Sequence, residues 1–195
     1  MRSVTFTRFL PFDEEPQDVR EDSLESLLAL LAGQRFAVLS GAGCSTASGI
    51  PDYRGPQGAL RRRQPIEYQE FLHHEAARRR YWARSTLGFR ALRGARPNAS
   101  HLALAALEKQ GRLTGLITQN VDGLHGAAGS GRVVELHGSI HFVRCLSCSA
   151  RVSRADLQDV LLRQNPALTA ALGEAAPDGD AEIDARLYEA FAVPA

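Results

Sequence analysis

The chain is 195 residues long, with a formal net charge of +1 and 44% hydrophobic residues, which suffices for one ordinary domain with a real core or one domain with a small insert. No apolar run approaches the roughly 20 residues of a membrane span. Asp13, Glu14, Glu15 and Asp18 break any signal or transit pattern near the N-terminus, so the sequence predicts a cytoplasmic protein without a membrane partner.

Ser23 opens an expected helix carrying Leu24, Leu27, Leu28 and Leu31 at helical spacing, with Gly33 as its stop. Phe36-Ala37-Val38-Leu39-Ser40 reads as a buried strand, and a small-residue loop follows from Gly41. Residues 66–93 read as helices, because their apolar side chains are interleaved with charge at no strand-like period. Pro97-Asn98 caps another helix with Leu102, Leu104 and Leu107, which Gly111 ends. Leu113 to Thr118 is the second expected strand and residues 132–136 a short third. Beyond Cys148, Ser153 starts a helix through Leu162, and Ile183 to Phe191 form a last amphipathic stretch. Strand, helix, strand alternation with polar motifs directly after the strands argues for an open parallel α/β sheet with a ligand crevice along that edge.

Charge is unevenly spread. Eleven arginines face three glutamates between Arg54 and Arg96. Such a block attracts phosphates, acidic proteins or nucleic acid, and for any single arginine a solvated helix face is the simpler reading; no specific nucleic-acid partner is expected. Three cysteines, two of them at 145 and 148, suit a reducing compartment and a metal site better than a disulfide framework.

Three blocks carry the chemistry. Gly41-Ala42-Gly43, after the first strand, lets backbone N–H groups approach a pyrophosphate, although Thr46 replaces the third glycine of the usual dinucleotide fingerprint. Alone, such a loop is equally a turn. Gln119-Asn120-Val121-Asp122 follows the second strand, where Asn120 and Asp122 alternate toward one side; an Asx turn would use the same residues for backbone bonding. His137 sits in Leu136-His137-Gly138-Ser139 after the third, as a group able to accept a proton near neutral pH or merely to close a strand end.

Together the blocks Gly41 to Gly55, Thr118 to His125 and Glu135 to Ser139 closely resemble the sirtuins, the NAD-dependent protein deacylases, in their order and density over roughly residues 24–148. The resemblance implies an incomplete Rossmann-like fold, with its parallel sheet in residues 24–60 and 97–140, a helical insert at 61–96 and a partial zinc-ribbon module at 141–195. It implies NAD as cofactor, an acylated-lysine protein or peptide as substrate, and transfer of the acyl group to ADP-ribose with release of nicotinamide.

By the same resemblance His137 is the catalytic base. Asn120 and Asp122 hold the nicotinamide ribose and carboxamide, with Gln119 on the ribose. Gly41, Ala42 and Gly43 contact the cofactor, as do Asp52, Tyr53 and Arg54, Tyr53 standing where many relatives have Phe. His125 is expected to support structure. The Pro51-Asp52-Tyr53-Arg54 block and the Ala176-Pro177-Asp178-Gly179-Asp180 tail resemble the lipoamidase-type and bacterial class, and Ala59 and Leu60 stand where succinyl-selective sirtuins have a Tyr and Arg pair, so no preference for acidic acyl groups is expected. Cys145 and Cys148 would supply half of a zinc site, since no second cysteine pair follows. The family's adenosine-binding segments are also absent, so the chain is expected to be C-terminally truncated, with an exposed apolar sheet edge. A catalytically silent fragment that binds NAD or a partner weakly, and a protein mono-ADP-ribosyltransferase, stay open beside deacylation. Oligomeric state is not legible.

Overall fold

Three apolar runs become the strands β1 (Phe36–Ser40), β2 (Leu113–Thr118) and β3 (Val133–Glu135) of one sheet in the order β1-β2-β3, with both pairings parallel. This computed structural model describes residues 21–50, 52, 66–171 and 188–193. Tyr53 and Arg54, Ala59 and Leu60, and residues 183–187 of the expected last helix lie outside the described residues.

The described residues 21–34 belong to a unit of their own. Within it, helix α1 (Glu21–Leu31) follows the leucine spacing and stops ahead of Gly33, whose φ of 71 is the left-handed conformation that glycine adopts without strain.

From Arg35 onward lies the second unit. The β1 to β2 crossover contains α2 (Tyr68–His73), α3 (Glu75–Gly94) and α4 (Ala99–Lys109), and the β2 to β3 crossover contains the short α5 (Leu124–Ala127). Parallel neighbours require such crossovers. Helix α4 packs on β2 and on α5. Alternation along the strands then sorts the two sheet faces. Val38, Leu116 and Val133 stand in register on the inner face, Leu116 fully buried. One residue on, Leu39, Ile117 and Val134 form a row on the other face, exposed by 65%, 37% and 55%. Here the expected exposed apolar surface is a face of the sheet.

A second core joins the helical insert to the C-terminal part of the described chain. Ala83 and Leu87 of α3 pack with Leu161 of α6 (Arg154–Gln164), Leu168 of α7 (Pro166–Ala171) and Phe191. Ser153 caps α6 as the sequence leads one to expect, its Oγ accepting from the Ala155 N–H at 3.1 Å. Between the sheet and α6, β4 (Phe142–Arg144) and β5 (Arg151–Ser153) pair as an antiparallel hairpin that carries Cys145 and Cys148 at its turn.

Candidate active site

Because all three strands run the same way, their C-terminal ends meet at one edge. The Gln119 N–H donates to the Ser40 carbonyl at 3.1 Å and the Leu136 N–H to the Thr118 carbonyl at 2.9 Å. These two bonds set the loops after β1, β2 and β3 side by side, so Gly41, Gln119 and His137, far apart in sequence, become neighbours.

After β1 the chain winds at once into a 3-10 helix, Ala42–Ser48, with extended Gly41 before it and left-handed Gly49 after it, at φ 82. The first N–H groups of such a helix have no acceptor within it. Among the described residues a Cβ added at Gly41 or Gly43 would meet nothing within 4 Å, so these glycines leave open space against the backbone where a ligand can approach. Asn98, the cap of α4, holds the loop from beneath. Its Oδ1 accepts from the Ser100 and His101 N–H groups, while its Nδ2 donates to the Cys44 carbonyl at 2.8 Å and to Ser48 Oγ at 3.0 Å.

Asn120 and Asp122 do converge, on a residue that the sequence did not single out. Ser45, 1% exposed, donates to Asp122 Oδ2 at 2.7 Å and accepts from Asn120 Nδ2 at 3.0 Å. Asn120 Nδ2 also donates to the Gly41 carbonyl at 3.1 Å. Asp122 is 7% exposed, and its Oδ1 accepts from the Leu124 N–H at 2.9 Å, the Asx arrangement that leads into α5. The carboxylate thus faces the loop and the start of α5, and half-buried Asn120 stands nearer the open side.

His137 and Gln119 are both exposed. The His137 Nδ1 lies 3.0 Å from the Gln119 carbonyl oxygen. A carbonyl only accepts, so Nδ1 carries the proton and Nε2 presents its lone pair. Among the described residues nothing occupies Nε2. The ring is therefore oriented as a base, by backbone alone. His125 behaves as expected for a structural residue, buried at 2% exposure with Nε2 at 2.8 Å from Ser40 Oγ.

Asp52 is half-buried. Cys145 and Cys148 are free and exposed. Backbone N–H groups of Cys148 and Ser147 point at the Cys145 sulfur and pull its pKa below the usual thiol range, as suits a thiolate ligand. Among the described residues the one group of three or more potential metal ligands is a different set, Cys44, His101 and His125. Little in the sequence points to Ser45, one small residue in a small-residue loop, or to His101, whose neighbours Cys44 and His125 are distant in the chain. The capping position of Asn98 was visible, its tether to the loop was not.

Known proteins resemble this chain along most of its length. The Sir2 family matches residues 41–177. The NAD-dependent protein deacetylase of Xanthomonas campestris pv. campestris (strain 8004) is 52% identical over 162 residues, covering 83% of this chain and 55% of that protein. One from Bordetella bronchiseptica (strain ATCC BAA-588 / NCTC 13252 / RB50), of the same description, is 49% identical over 178 residues, covering 91% and 65%. Among solved structures, one described as a Sir2-p53 peptide-NAD+ complex is 37% identical with a TM-score of 0.56, covering 68% of this chain and 53% of the other. A Sir2 homolog–NAD complex is 40% identical with a TM-score of 0.53, covering 66% and 51%. The chain spans a little over half to about two thirds of these relatives' own length.

Proposed function

Given that the chain belongs to the Sir2 family, we propose that it carries the catalytic edge of an NAD-dependent protein-lysine deacylase, a transferase acting on acylated-lysine proteins or peptides. The observation that carries this reading is the His137–Gln119 contact, which fixes the imidazole with Nε2 outward at the edge where all three strands end. The open space at Gly41 and Gly43 fits a dinucleotide, whose backbone approach to the loop any side chain there would hinder. NAD, when bound, supplies the ADP-ribosyl acceptor for the acyl group as nicotinamide leaves.

The chain's own residues have separate tasks. His137 Nε2 takes a proton from a hydroxyl presented to it, and the Gln119 carbonyl stabilises the charged ring through Nδ1–H. Asn120 is placed to touch ligand, while Asp122 and Ser45 hold Asn120 and the loop in position. Asp52, Tyr53 and Arg54 are assigned to the cofactor from their motif, with neutral acyl groups the favoured substrates. Cys145 and Cys148 fit half of a tetrahedral zinc site. In domain terms, 24–60 with 97–140 form the Rossmann part, 61–96 the insert and 141–195 the zinc-binding part. A cytoplasmic setting is supported by the three free cysteines.

The test is nicotinamide release from NAD with an acetyl-lysine peptide, run on the chain and on His137→Ala. General-base catalysis contributes about 10²–10⁴-fold, so the variant should lose that much turnover while NAD binding persists. Equal turnover in both would remove His137 from the reaction. No release from either, with NAD still bound, would favour the silent binding module, and ADP-ribose found on protein would favour mono-ADP-ribosylation.

A further inference from the structure

Beneath the loop three residues that this reaction does not use come together from three elements. They are Cys44 of the 3-10 helix, His101 of α4 and His125 of α5. One potential ligand atom from each lies within 4.8 Å of the others. Cys44 Sγ is 4.0 Å from His101 Nε2, and the two imidazole centroids are 4.7 Å apart. His101 is fully buried.

A second observation points to a ligand. His125 Nδ1 is buried and has no hydrogen-bond partner. Its protonation follows from its neighbours. Ser40 Oγ donates to Thr118 Oγ1 at 2.9 Å, so it accepts from His125 Nε2–H at 2.8 Å, which leaves Nδ1 as a bare lone pair turned into the protein. Buried polar atoms are rarely left so, and an ion is one of the standard reasons when they are.

We propose that Cys44 Sγ, His101 Nε2 and His125 Nδ1 form a binding site for a zinc-type transition-metal cation, separate from Cys145 and Cys148. One thiolate and two imidazoles suit such an ion, with a fourth position left for water. Zn–S near 2.3 Å and Zn–N near 2.0 Å place ligand atoms about 3.3–3.7 Å apart, so from separations of at most 4.8 Å the group closes by up to about 1.5 Å around the ion. Binding releases the Cys44 thiol proton to solvent. The His101 ring proton moves from Nε2 to Nδ1, giving up the long 3.3 Å contact with the Asn98 N–H. The metal would cross-link the loop to α4 and α5, stiffening the floor of the proposed cofactor site.

Cobalt(II) is the probe, titrated into the full chain carrying Cys145→Ser and Cys148→Ser so that the exposed pair cannot bind it. The expected result is a near-ultraviolet thiolate-to-cobalt band saturating at about one equivalent, and a melting temperature raised several degrees by zinc. Adding Cys44→Ala, a small change in a half-buried turn, should abolish both effects, and His125→Gln should weaken both. Absence of the band in the folded double variant, or a band that survives Cys44→Ala, would overturn the site.

Discussion

The Ser45 hydroxyl donates to Asp122 Oδ2 at 2.7 Å, so a residue of the loop after β1 supplies the donor for a buried carboxylate after β2. Ser45→Ala would leave that oxygen without this partner. A buried acceptor deprived of its donor costs about 1–3 kcal/mol, which for a protein of this size lowers the melting temperature by roughly 2–4 °C per kcal/mol. Thermal and denaturant unfolding of Ser45→Ala measure the effect, and an unchanged midpoint would mean that Asp122 finds another donor.

Asn98 does two things with one side chain. Asn98→Asp retains an oxygen for capping the Ser100 and His101 N–H groups but has no donor for the Cys44 carbonyl and Ser48 Oγ. The helix should therefore persist while the loop loosens. Hydrogen exchange should accelerate at Cys44, Gly49 and Ile50, whose N–H groups bond within the loop, and much less within α4. Equal acceleration in both would show that the tether does not hold the loop.

Gly123 has φ 70, and a Cβ built there would collide with the ring of His141. His141 Nε2 meanwhile lies 3.0 Å from the Asp122 carbonyl. Gly123→Ala combines a strained backbone with a displaced ring, and should cost about 1–3 kcal/mol or more in unfolding free energy. Calorimetric melting of the variant decides this, with a native-like midpoint counting against the collision.

Arg154 is 2% exposed, stacks on Phe89 at 4.3 Å from the ring centroid, and donates to Gln158 Oε1, the Ser85 carbonyl and Ser85 Oγ. Burial lowers its pKa to about 10. Arg154→Ala removes both packing and donors, and should destabilise by about 2–4 kcal/mol. Arg154→Met restores apolar contact without the donors, so its unfolding midpoint should fall between the other two. A Met variant as stable as the original would show that the hydrogen bonds add nothing net.

Much of the sheet was legible because β1 and β2 are short apolar runs closed by small or polar residues, and Ser153 and Asn98 are capping residues followed by helical spacing. His137 and Asn120 were legible only as members of motifs, since an isolated histidine or asparagine at a strand end has a simpler explanation. What the sequence concealed are pairings across long separations. Nothing in the pattern of residues 66–93 says that Ala83 and Leu87 meet Leu161 and Phe191, because amphipathic spacing names a face and not its partner. The β4–β5 hairpin is not legible in the sequence because each strand has three residues, too few for alternation to show. Cys44 and His101 are 57 positions apart, and only the crossover geometry unites them.

The parallel pairing of β1 with β2 also sets a schedule. Ser40 and Thr118, bonded side chain to side chain, are separated by 78 positions. At a synthesis rate of about 5–20 residues per second, the ribosome takes roughly 4–16 s to deliver the second after the first. Throughout that interval β1 lacks β2, its one strand neighbour among the described residues, and among those residues it has no hairpin partner a few positions away, the usual remedy in antiparallel proteins. A pause in translation between Ser40 and Leu113 would lengthen the time for which Val38 and Leu39 are available to chaperones or to other nascent chains.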